Sequence, residues 1–178
     1  DFDVAQVTDF GSMFFGAGIQ ILNVKYWQMS PDANTSSWLG QMDNLWQLTV
    51  GPHVKLTDAK LPDVPEAGTP IPPHTSDQLG NPNLVSGIEQ DGNFVTGWEM
   101  ISSGTITDPE GPVWSTTQLM DLYKGNGIGA PMTYVWSQPV LNFYQPIDVT
   151  TGQMVPDSET VILDTYGALV DVNLDDLA

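Results

Sequence analysis

The 178-residue chain contains no cysteine and no arginine, and only four lysines: Lys25, Lys55, Lys60 and Lys124. Each absence closes off some chemistry. Without cysteine there is no disulfide, thiolate metal ligand or thiol nucleophile. Without arginine, and with no adjacent lysines, the chain lacks the guanidinium forks that read bases and the cationic clusters that neutralise phosphate backbones. Nucleic acid is therefore not an expected partner, and anionic membrane surfaces are disfavoured. Long apolar runs are missing too. The most apolar stretch, Met13 to Leu22 (MFFGAGIQIL), is too short to span a bilayer and lacks the basic flank of a signal peptide.

Histidine occurs twice, and both His53 and His74 follow a proline in loop-like sequence. Neither belongs to an H-x-H or H-E-x-x-H arrangement, so no metal site and no catalytic histidine are expected. The G-x-S-x-G elbow of a serine hydrolase is absent. Gly125 to Gly129 (GNGIG) lacks both the lysine of a P-loop and the G-x-G-x-x-G spacing, and reads as a loop needing positive φ. Asn34-Thr35-Ser36 is a glycosylation triplet in a predicted loop.

Acid is what the chain has in abundance. Its 22 Asp and Glu give a formal net charge of −18, divided as −3, −8 and −7 over residues 1–60, 61–120 and 121–178. Charge this evenly spread describes a solvent more than a binding site. At ordinary ionic strength it opposes compaction. At molar salt the Debye length falls to roughly 3 Å and the repulsion is screened, so a high-salt environment is expected. With 40% apolar and 10% aromatic residues, the chain has enough apolar material for a real core.

Seventeen glycines and 14 prolines punctuate runs of β-branched and aromatic residues, the pattern of many short strands joined by turns. Strands are expected within 17–29 (with a bulge where the apolar phase shifts), 45–61, 88–90, 94–106, 132–136, 140–144, 147–150 and 160–165, and a further one in 168–174. Asp91-Gly92 predicts a hairpin turn. Residues 113–123 predict a strand closing into a short helix capped by Ser115. Residues 38–46 predict either helical turns or a strand lead-in. Residues 1–15 read as an N-terminal arm. Residues 62–86, with six of the prolines, read as a stiff surface excursion. The fold class expected is all-β: one domain over residues 1–178, a jelly-roll barrel or sandwich of about eight strands with long loops.

Glu99 lies in a predicted strand beside Trp98, and Glu89 and Glu110 lie near turns. Two such carboxylates in a tryptophan-lined cleft would suit a glycosidase. Against this, acids near tryptophans are unremarkable among 22 acids, and the six tryptophans (27, 38, 46, 98, 114, 136) read first as core or interface residues. No catalytic, cofactor-binding or metal residues are assigned.

The length, acidity, missing Cys and Arg, strand-and-loop plan, and the stretches FGSMFFGAGIQILNVKYW and PMTYVWSQPVLNFYQPIDV together resemble one family. It is the small major capsid protein of haloarchaeal icosahedral viruses with an internal membrane, the vertical single β-barrel group. The resemblance implies a non-enzymatic jelly roll that pairs with itself and with a larger related capsid protein in the virion, close to the internal membrane. The alternative is a secreted haloarchaeal carbohydrate-binding module or small jelly-roll glycosidase.

Overall fold

The computed structural model describes residues 3–72, 84–90, 93–125, 129–138, 142–144 and 161–163. The chain divides into two compact units, Asp1–Gln138 and Pro139–Ala178. In the first, the strands among the described residues are β1 (Ile21–Val24), β2 (Gln47–Val50), β3 (Ile88–Gln90), β4 (Asn93–Val95), β5 (Trp98–Met100), β6 (Val113–Trp114) and β7 (Met132–Trp136), with one described helix, α1 (Thr116–Leu122). In the second, β8 (Asn142–Tyr144) and β9 (Val161–Leu163) form an antiparallel pair. The chain is thus mostly strand and loop, as its composition predicts. The expected strands at 147–150 and 168–174 lie outside the described residues.

Five strands form one mixed sheet in the order β1-β2-β7-β5-β6. The β1–β2 pair is parallel and the rest are antiparallel. This parallel pair ends a longer parallel association. Phe10, Ser12, Phe14 and Gly16 donate backbone bonds to the carbonyls of Asn34, Ser36, Trp38 and Gly40, so residues 10–24 run alongside residues 34–50. Both courses are built from tight turns before they straighten into strands. Ser12, Ser37 and Gln41 occupy the left-handed region, with φ of 55 to 56°. Phe10, Phe14, Trp27 and Trp38 stack through the turns at ring-centroid distances of 5.8 to 6.1 Å. The segment 38–46 is therefore turns leading into β2, not helix. Residues 3–15, expected as an arm, lie along their own chain, with Val4 and Phe10 buried.

Alternation assigns each sheet residue to a face. One face is a row of tryptophans. Trp98 pairs with Trp114 on one side and Trp136 on the other, and the Trp136 N–H donates to the Trp46 carbonyl. Below that row lie Leu22, Leu48, Tyr134 and Met100, then Val24, Val50 and Met132. Most of these are buried, with Trp114, Met100 and Met132 partly so, and full burial contributes roughly 1.5–3 kcal/mol per side chain. The bulge expected in 17–29 is replaced by a simpler outcome. Leu22 and Val24 hold the core phase, while Ile21 points to the other face. That face carries Gln47, Val135, Glu99, Thr49 and Thr133.

The expected 94–106 strand is cut at Gly97. There β4 leaves to pair with β3, and β5 turns onto β6 and β7. A Cβ on Gly97 would press on the Trp114 carbonyl, so the close strand approach needs glycine. The hairpin pairs Ile88 with Val95, as Asp91-Gly92 predicts, although the turn residues lie outside those described. Helix α1 begins as expected: the Ser115 hydroxyl accepts from the Gln118 N–H, and the Gln118 side chain accepts from the Ser115 N–H.

Candidate functional site

Three features stand out from this frame. The first is the free side of β1, which pairs with β2 alone among the described residues. In the same stretch of chain, residues 13–26, Met13, Phe15, Ile21 and Tyr26 are exposed, at 44 to 60% of their full accessibility. Among the described residues these are four of the six exposed large apolar side chains, the others being Leu84 and Val95. Lys25 rests its ammonium 4.7 Å above the Tyr26 ring. An open strand edge with apolar side chains around it is a template for association.

The second is Glu99. Its strand is pinned between β6 and β7, so alternation points its carboxylate away from the tryptophan row, and it is 4% exposed. The Gln138 backbone N–H donates to Glu99 Oε2 at 3.1 Å, and Gln138 Nε2 donates to the Ile106 carbonyl at 2.7 Å. Burial pushes the Glu99 carboxyl up to about 7. The Gln138 N–H opposes that rise and the charge of Asp108 adds to it. Glu99 is thus a carboxyl poised to gain or lose a proton near neutrality, held inside a clamp joining β5, the loop after it and the end of β7.

The third is a cavity of about 310 Å³ where residues 29–31, 53–57 and 124–125 meet. A turn over residues 51–54, closed by a Val54-to-Gly51 backbone bond, leads into the cavity wall. Val54 and Leu56 are buried, so His53, Lys55 and Thr57 face the other way and line the cavity. Gly51 is required there because a Cβ would collide with the Lys25 carbonyl.

The remaining sequence candidates disperse. Trp98 is fully buried on the face opposite Glu99, so it offers no sugar platform next to that carboxylate. Trp38, Trp46 and Trp136 are also core, and Trp27 and Trp114 are half-buried. Exposed Glu110 accepts from the Ser103 hydroxyl at 2.6 Å. Glu89 falls in β3, but its side chain lies outside the described atoms. So do His74 and residues 126–128 of the glycine loop, while Gly129 has the positive φ expected there. Asn34 is exposed and its amide donates to Asp9 Oδ1 at 2.9 Å. The excursion 62–86 is closed at its base by Pro70–Leu84 pairing and a Val85-to-Thr69 backbone bond, with Val64, Ile71 and Val85 buried. Among the described residues, no three His, Asp or Glu side chains gather in a metal-holding group, and no helix is long and apolar enough to cross a membrane. Sequence reading missed Lys55, Thr57 and Lys124 as a group. The alternation in H-V-K-L-T was visible, but the approach of Lys124 depends on tertiary folding.

No family model, curated protein or solved structure matches the chain.

Proposed function

We propose that this chain is a structural shell subunit, a small major capsid protein of the vertical single β-barrel kind, built to associate with copies of itself and with a larger related capsid protein in a virion exposed to high salt. The observation that carries the reading is the β1 edge, unpaired among the described residues, with Met13, Phe15, Ile21 and Tyr26 exposed in the same stretch of chain. A monomer gains nothing by leaving these in water, whereas a lattice subunit needs adhesive edges. The net charge of −18 supports the high-salt setting, since such a shell assembles only where repulsion is screened. The jelly-roll arrangement is the finer part of this reading, and it asks for a second sheet facing the five-stranded one.

The test is size analysis in molar sodium chloride, coupled to mass spectrometry of virions from halophilic hosts. The chain is expected to be an abundant virion component and to form dimers or larger species. Ile21→Lys together with Tyr26→Ser is expected to return it to monomer with an unchanged unfolding midpoint. A parent that stays monomeric at all concentrations, or is absent from virions, would sink the proposal. The glycosidase alternative keeps one supporting observation, the raised proton affinity of Glu99. It predicts hydrolysis of a glycan by the parent that Glu99→Gln abolishes.

A further inference from the structure

Half of the lysines of this acid-dominated chain, Lys55 and Lys124, and one of its two histidines, His53, line a single cavity with no acid in its lining among the described residues. In a chain with more than five acids per lysine, that grouping marks a local reversal of charge. The ammonium of Lys55 donates to the carbonyls of Pro31 and Ala33. Those acceptors are neutral, so they orient the group without cancelling its charge, and its third proton is unused by any bond described. Lys124 does meet an acid, Asp121 at 2.5 Å, but both side chains are more than half exposed. An exposed pair of this kind holds weakly, and its lysine stem is long enough to turn toward a ligand.

Thr57 supplies an independent pointer. Thr57 is among the residues that line the cavity, and its hydroxyl is buried with no hydrogen-bond partner. A hydroxyl left so is costly, on the order of 1–3 kcal/mol, and a turn of the side chain toward the cavity would let a ligand oxygen satisfy it. The backbone at Thr57 is held against the cavity wall, because its carbonyl accepts from the Thr35 hydroxyl at 2.6 Å. On the far side, Met29 and Pro31 give the cavity an apolar wall. The volume, about 310 Å³, suits a small molecule.

We infer that this cavity binds a small aliphatic carboxylate, its charged end at Lys55, Lys124 and the Thr57 hydroxyl and its short apolar body against Met29 and Pro31. The charge count favours a singly charged organic anion over phosphate or sulfate. Two ammonium groups, one of them shared with Asp121, do not balance a doubly charged oxyanion, and no guanidinium fork is present to grip one. The inference is independent of the shell-subunit reading.

Sodium butyrate is the probe, titrated into the isotope-labelled protein in high-salt buffer at constant ionic strength while amide resonances are followed. Saturable shifts at Lys55, Thr57, Lys124 and Gly125 are expected, with at least tenfold weaker binding in Lys55→Gln. Thr57→Val keeps the shape, removes the hydroxyl, and is expected to weaken binding three- to tenfold. Lys60→Gln, at an exposed lysine that does not line the cavity, is expected to bind as the parent does. The inference fails if the shifts do not saturate, if inorganic phosphate reproduces them at lower concentration, or if Lys55→Gln and Thr57→Val both bind like the parent. Butyrate-driven dissociation of an oligomer would also overturn it, by assigning the cavity to a carboxylate of a second copy.

Discussion

The two faces of the five-stranded sheet are made by the same strands in the same register, yet they differ in kind. One carries the row Trp114, Trp98, Trp136 and Trp46 above layers of Leu, Tyr and Val. Three of those indoles have buried N–H groups with no acceptor. The other face carries Gln47, Glu99, Thr49 and Thr133 around Val135, and its polar atoms are largely partnered: Thr49 Oγ lies 2.9 Å from Thr133 Oγ, and Glu99 holds the Gln138 N–H. The apolar face tolerates orphaned donors because the area it removes from water outweighs them. The polar face is stabilised by pairing, so each partner there depends on the other.

Removing one indole tests the first half of that contrast and is expected to have the largest effect. Trp98 is fully buried at the centre of its row. Trp98→Ala is expected to cost about 3–5 kcal/mol in urea unfolding at molar salt, enough to unfold a marginal domain. A cost below about 1 kcal/mol would mean that the row is not what holds the sheet together.

The next largest effect is a pH dependence. The carboxyl of Glu99 is raised from 4.5 to about 7 in the folded chain. Between those values the folded state therefore holds a proton that the unfolded state has released, and stability falls as pH rises through this window. Glu99→Gln keeps an acceptor for the Gln138 N–H and removes the charge. Its unfolding free energy is expected to match the parent below about pH 4.5 and to exceed it above pH 7, by on the order of 2–3 kcal/mol. Parallel pH profiles for parent and variant would show that Glu99 is solvated as a free carboxylate is.

How much of this was readable beforehand depends on which interactions set each element. The capped helix, the 88–95 hairpin and strand β7 were legible because local signals decide them: the Ser115–Gln118 box, an Asp-Gly turn and an uninterrupted β-branched and aromatic run. The parallel course of 10–24 along 34–50 was not. Its turns use left-handed Ser12, Ser37 and Gln41, residues whose side chains do not announce that conformation. The strand break at Gly97 was equally hidden, because it answers to the Trp114 carbonyl, distant in sequence. Glu99 was legible as a carboxyl in a strand. Its burial depends on the 101–111 loop and Gln138 closing over it, which no local pattern encodes. The tryptophans were correctly legible as core material, but their alignment in one row required the register.

The smallest effect separates pairing from burial on the polar face. Thr49 and Thr133 sit opposite one another on β2 and β7, hydroxyl to hydroxyl at 2.9 Å, and Thr49 is buried. Valine has nearly the same shape and suits a strand at least as well. Thr49→Val alone, or Thr133→Val alone, strands the remaining hydroxyl and is expected to cost about 1 kcal/mol. Replacing both removes the stranded group, so the double variant is expected to lie within about 0.5 kcal/mol of the parent. The resulting coupling, read from a double-mutant cycle in urea, is then comparable to the single costs. Additive losses would instead mean that each hydroxyl finds water on its own, and that the two faces differ in composition but not in how they are held.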